Sequence, residues 1–185
     1  MINSKEDALT LPAITCQQLF SKLPRAQGLE AVMEIIDTVR QQLLGPGLLT
    51  VNWRCSDLPK GEDGDDTLEL QRVWTSDPKA YPVAGRKTKK LTPWTRQLLV
   101  RGEIFIGEGR ETLQTVFDDH TLITSLGLQS VVNVPMFDGE GQCCSTFNLL
   151  GMQPCWSTQD IHLAQLLAAL SAPAIARQMR GMVGC

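Results

Sequence analysis

Residues 126–151 read LGLQSVVNVPMFDGEGQCCSTFNLLG, two apolar runs either side of Asp138-Gly139-Glu140-Gly141. The central four residues supply the turn-forming types and the positive φ that a hairpin needs. A turn of two or four residues pairs Phe137 with Gln142 and Asn133 with Thr146. Side chains alternate along a strand. One face then carries Val132, Val134, Met136, Cys143, Ser145, Phe147 and Leu149, and the other Val131, Asn133, Pro135, Cys144, Thr146 and Asn148. Neither face reads as solvated, so the hairpin is expected at the centre of a sheet covered on both sides. Its mixed face is the place for a small polar ligand.

With 185 residues, 43% of them hydrophobic, the chain has material for a well-buried core. The expectation is a loose tail over residues 1–15 and a single domain over 16–185 with flanking terminal helices. The net charge of -3 offers no general attraction to nucleic acid or to an anionic membrane. No segment approaches the roughly 20 apolar residues of a membrane span, and the first residues lack a signal-peptide core, so the expected location is the cytoplasm. Six cysteines occur without metal-finger spacing. They read as reduced, buried small hydrophobes rather than metal ligands.

Outward from the hairpin, Cys16, Leu19, Phe20 and Leu23 recur at helical spacing up to Pro24, and a second helix follows over residues 29–44. Residues 48–54 and 68–74 alternate as strands around an acidic loop at 59–66. In the second strand Leu68, Leu70, Arg72 and Trp74 share one parity, which puts an arginine on an apolar face. Either a bulge or a packed arginine stem accounts for this, or the guanidinium faces an anion. Residues 75–90, with Arg86, Lys87, Lys89 and Lys90, read as a solvated loop. Thr92-Pro93 opens a helix to about residue 101. A short strand at 104–106 and short helices at 108–117 and 120–126 follow, with Asp118-Asp119 as a candidate cap. Ser157 to Asp160 caps a long helix striped by Leu163, Leu166, Leu167, Leu170 and Ala174, with Pro173 expected to kink it.

This order describes an α+β protein. A central antiparallel sheet of about five to six strands has terminal helices on one face and short helices over a pocket on the other. Residues 17–179 resemble the GAF domain family, whose sheet is similar to that of PAS domains. The resemblance rests on Thr92 and Trp94, on Phe117-Asp118-Asp119-His120 before Leu126-Gly127-Leu128, and on Ser130-Val131-Val132-Asn133-Val134-Pro135. The Asp138–Gly141 turn and Phe147-Asn148-Leu149 complete it. Ser145 departs from the glycine usual after the turn.

The resemblance implies a bacterial-type sensory module of signal transduction, with a small-molecule pocket and no catalysis by default. It also implies a homodimer through the terminal helices; both are apolar beyond a narrow stripe, so Val32, Ile35, Leu166 and Ala174 are expected at the interface. No output segment is read in these residues, so the signal is expected to pass to a separate effector protein. Bilin attachment lacks a cysteine within ten residues of His120. Haem has only His120 as a candidate axial ligand and is not favoured. The ligand remains open. For the pocket, Trp74, Trp94 and Phe105 are candidate apolar walls, and Asp118, His120, Asn133 and Thr146 candidate polar groups. Two alternatives stand: a ligand-free dimerisation module, with Trp94 filling the pocket, and a cysteine enzyme of the free methionine sulfoxide reductase type.

Overall fold

The computed structural model describes residues 9–58, 67–83 and 86–183. In chain order the helices and strands are α1 (Ala13–Lys22), α2 (Gly28–Leu44), β1 (Gly47–Arg54), β2 (Thr67–Thr75), β3 (Arg86–Lys90) and α3 (Pro93–Thr95), which continues as a π-helical stretch Arg96–Val100. There follow β4 (Phe105–Glu108), α4 (Gly109–Val116), α5 (His120–Ser125), β5 (Ser130–Phe137), β6 (Cys143–Gly151) and α6 (Thr158–Val183). The chain forms two compact units: a helical one from residues 1–45 and 156–185, and a sheet unit from residues 46–155. The acidic loop expected at 59–66 and most of the expected N-terminal tail lie outside the described residues.

In the helical unit, α1 begins at Ala13, inside the stretch expected to be tail. Phe20, expected on the apolar stripe of α1, is instead 77% exposed. The apolar stripe of α2 buries Val32, Ile36 and Val39, and α2 packs against α6. Arg40 is buried among them. Its guanidinium donates to Asp37 Oδ1 at 3.0 and 2.5 Å and to the Gly45 carbonyl at 2.9 Å, so one charge pair also ties off the end of the helix. Ser157 and Asp160 form a reciprocal cap on α6: Asp160 N–H donates to Ser157 Oγ at 3.2 Å, and Ser157 N–H donates to Asp160 Oδ2 at 2.9 Å. The helix continues through Pro173. Val32 and Ala174, two of the four residues expected at a dimer interface, are buried within the chain. Ile35 and Leu166 are partly exposed.

In the sheet unit, the described residues form a six-stranded antiparallel sheet in the order β3-β2-β1-β6-β5-β4. The central hairpin is present, but its register differs from the one expected. Asp138 Oδ1 accepts from the N–H of Glu140 and of Gln142, both at 2.9 Å, and Asp138 N–H donates to the Gln142 carbonyl at 3.0 Å. This closes a three-residue loop with Gly141 at φ +77°, a left-handed position that suits glycine. The odd loop shifts the register by one residue, so Phe137 pairs with Cys143, not Gln142. A bulge after Met136 shifts it by one more, so Asn133 pairs with Asn148, not Thr146. Two single shifts restore the parity, and beyond the bulge each face carries the residues expected of it. Cys143 changes sides, and Cys144 is the extra residue of the bulge. Paired with Phe137, Cys143 joins the apolar cluster of Leu68, Leu70, Leu91, Leu98 and Leu99.

The same device resolves the arginine in β2. Val51 pairs with Trp74 and Asn52 with Arg72, which leaves Val73 as the extra residue of a bulge. Trp74 therefore lies on the face of Val51 and Phe147, while Leu70 and Arg72 lie on the face of Asn52 and Thr146. The residues expected to form a cationic loop at 86–90 are instead β3, an edge strand paired with β2. Lysines along an edge discourage pairing with another chain, so a real edge strand resembles a loop in sequence. The cysteines depart from expectation too: Cys143 and Cys144 are buried, Cys16 and Cys55 only partly, and Cys155 is exposed.

Candidate functional site

Within the sheet unit, the mixed face of the hairpin forms the floor of a cavity of about 560 Å³. Asn52, Asn133, Thr146 and Asn148 form its polar floor, with Leu48 and Leu150 at one end. The floor is tied by side chains running across three strands. Trp94 Nε1–H donates to Asn133 Oδ1 at 3.0 Å, and Asn133 Nδ2 donates to Asn148 Oδ1 at 2.8 Å. Asn148 Nδ2 in turn donates to Thr146 Oγ1 at 3.1 Å and to the Thr50 carbonyl at 3.3 Å. Buried amides need such partners, and here each amide is the partner of the next.

The walls come from connections rather than from the sheet. Thr92 caps α3 by accepting from Thr95 N–H at 3.3 Å, and Pro93 sits at the first helical position. That start aims Trp94 at the floor, and the π-helical stretch behind it contributes Leu98 and Leu99. Phe117, between α4 and α5, meets Trp94 edge to face at 5.2 Å between ring centroids. On the far side, β2, β3 and their connection present Arg72, Tyr81, Lys87 and Lys89. Asp118 and Asp119 border the same cavity, and Lys89 Nζ pairs with Asp118 Oδ2 at 2.7 Å. That hydrogen bond, with the lysine charge, holds the Asp118 carboxyl below its ordinary value.

Arg72 and Tyr81 form the least satisfied pair. The guanidinium lies 4.9 Å over the Tyr81 ring and donates from Nη1 to the Pro82 carbonyl at 3.1 Å, while Nε is buried without a partner. Burial draws the arginine pKa down. The Tyr81 hydroxyl is also buried, beside the Asp119 carboxylate. Burial raises its pKa first, and the nearby Asp119 carboxylate adds to the rise.

Of the seven residues expected at the site, Trp94, Asp118, Asn133 and Thr146 line the cavity. Trp74, Phe105 and His120 do not. The bulge turns Trp74 to the opposite face. Phe105 stands behind Trp94, edge to face at 6.3 Å, and packs beside the cluster of Leu113, Ile123 and Val131. His120 opens α5 outside the cavity wall. Asp118 is not the helix cap: Asp119 holds that position, without a side-chain bond to the helix. Sequence reading missed Tyr81, Lys87 and Lys89. The one available signal was the misplaced parity of Arg72. Among the described residues no group of three His, Cys, Asp or Glu side chains is placed to hold a metal ion, and no helix is long and apolar enough to cross a membrane.

No family model matches this sequence, and no curated protein does either. Solved structures do match its fold. The GAF domain from a phosphoenolpyruvate-protein phosphotransferase of Coxiella burnetii has a TM-score of 0.63 at 14% identity, over 91% of this chain and 95% of that one. The GAF domain of a two-component sensor histidine kinase from Bacillus halodurans has a TM-score of 0.57 at 12% identity, over 86% and 100%. A phycoerythrobilin-bound GAF domain from a cyanobacterial phytochrome has a TM-score of 0.54 at 16% identity, over 94% and 99%. The chain has the GAF-domain fold, as its resemblance implied.

Proposed function

We propose that this protein is a regulatory module of signal transduction that binds a small molecule in the cavity over its sheet. The bound state would pass through the terminal helices to a separate effector protein. One observation carries this reading. The amide ladder from Trp94 to Thr50 keeps its buried polar groups bonded while leaving about 560 Å³ open above it, within the range of small-molecule sites. A module without a ligand would be expected to fill that space with Trp94, whose ring instead forms a wall. The similar structures, a domain of a sensor histidine kinase and a bilin-bound domain of a phytochrome among them, are consistent with a sensory role.

A cysteine enzyme is supported less well. Burial pushes the Cys143 thiol up to about 11 and raises Cys144 and Cys55 as well, which disfavours the thiolate such chemistry needs. Native mass spectrometry of freshly purified protein, followed by thermal-shift screening of metabolites, tests the proposal. Saturation at about 100 Kd stabilises by roughly 2.7 kcal/mol and is readily seen. A bare mass with no stabilisation from any compound in the screen refutes the binding role.

A further inference from the structure

The charges around the cavity narrow the ligand class, an inference that deepens the reading above and rests on it. Three cations, Arg72, Lys87 and Lys89, face two carboxylates, Asp118 and Asp119, leaving a surplus of one positive charge. Lys89 is engaged by Asp118. Arg72 is in none of the ion pairs among the described residues, and its half-buried guanidinium lies against the Tyr81 ring and the Pro82 carbonyl. Nη1 is used by the Pro82 carbonyl, and Nε has no partner. Nε is closed off from solvent, which leaves Nη2, neither bonded nor buried, as the guanidinium donor that an oxyanion in the cavity can reach. The Asp119 carboxylate acts on Arg72 through space but makes no ion pair with it, so the half-buried guanidinium has no anion in contact, and an incoming one lowers the cost of its burial. Across the cavity the wall is apolar and aromatic: Trp94, Leu98, Leu99 and Phe117.

We propose that the cavity receives a molecule with a single anionic group and an apolar or aromatic body, its carboxylate on Arg72 beside Lys87 and its body against Trp94 and Phe117. Carboxylates and phosphate monoesters share the oxyanion chemistry that a guanidinium N–H recognises. The surplus of a single charge favours the carboxylate.

The test is calorimetry and thermal shift on the full chain with matched probes: phenylacetate against phenylacetamide, hexanoate against hexanamide, and phenyl phosphate. The carboxylates are expected to bind, with the neutral amides weaker by roughly tenfold or more, the scale of a charge-assisted bond. Arg72→Gln should lose that preference and Arg72→Lys keep part of it. Lys87→Gln, at an exposed position, should weaken carboxylates by about threefold. Circular dichroism confirms that each variant is folded. If Arg72→Gln does not fold, the carboxylate-to-amide ratio on the unaltered protein and the Lys87→Gln result decide. Amides binding as well as acids, or full binding by folded Arg72→Gln, overturns the anion inference and leaves the cavity reading intact. Phenyl phosphate binding more tightly than both acids overturns the carboxylate assignment. No binding by any probe overturns this inference, and the cavity reading then falls only if the wider metabolite screen is also empty.

Discussion

Replacing Asn133 with alanine cuts two bonds at once and tests whether the amide ladder holds the cavity floor. Trp94 Nε1 loses its acceptor at 3.0 Å, and Asn148 Oδ1 loses its donor at 2.8 Å. A buried polar group left without a partner costs about 1–3 kcal/mol. Trp94 is only partly buried and borders the cavity, so water can take the place of the lost acceptor, and its share is about 1 kcal/mol. The Asn133–Asn148 bond is fully buried, which puts its share at about 1–2 kcal/mol. The expected total is about 2–3 kcal/mol, read by urea denaturation followed at 222 nm. A cycle with Trp94→Phe isolates the first bond: in that background Asn133→Ala should cost about 1 kcal/mol less than in the parent. A loss below about 0.5 kcal/mol for Asn133→Ala, the scale of an ordinary surface substitution, would refute the ladder. Strict additivity in the cycle would refute the link to Trp94.

Three further outcomes are expected. Cys143, with its thiol pushed up to about 11, should react with iodoacetamide at pH 8 far more slowly than exposed Cys155 in mass-spectrometric labelling, and equal rates would contradict its burial. Gly47→Ala would drive a Cβ into the backbone carbonyl of Leu150 on the paired strand, with an expected loss of about 2 kcal/mol or more in urea denaturation; a neutral result would place β1 and β6 farther apart. The Asp118 carboxyl is held low by Lys89, so the stabilisation it contributes is present at neutral pH and fades as the pH falls through that depressed pKa. Because Asp118 is almost fully exposed the effect on stability is small, and the readout is its carboxyl carbon shift by NMR. Lys89→Gln should move the titration midpoint up toward that of a free aspartate, and an unmoved midpoint would remove the ion pair.

The local rules are written into the chain itself. The caps at Thr92 and Ser157, the turn-forming residues from Asp138 to Gly141 and the alternation along β5 and β6 follow from interactions within a few residues of one another. They carried the α+β class, the central hairpin and the two unlike faces. They also picked out Asn133 and Thr146 as polar groups of the floor, because an amide or hydroxyl in an otherwise apolar strand must meet something polar.

Tertiary pairing decided the rest. A bulge belongs to two strands and not to either sequence alone. The bulge at Val73 separates Arg72 from Trp74, and the one after Met136 separates Ser145 from Cys143, which lies in the cluster with Leu98. The lysine-rich segment 86–90 becomes a strand only because β2 offers it an edge, and that pairing carries Lys87 and Lys89 to the cavity. Depth depends on neighbours in the same way: Phe105 is held behind Trp94 and His120 stays outside the wall, since only the packing of α3, α4 and β4 determines which ring stands in front.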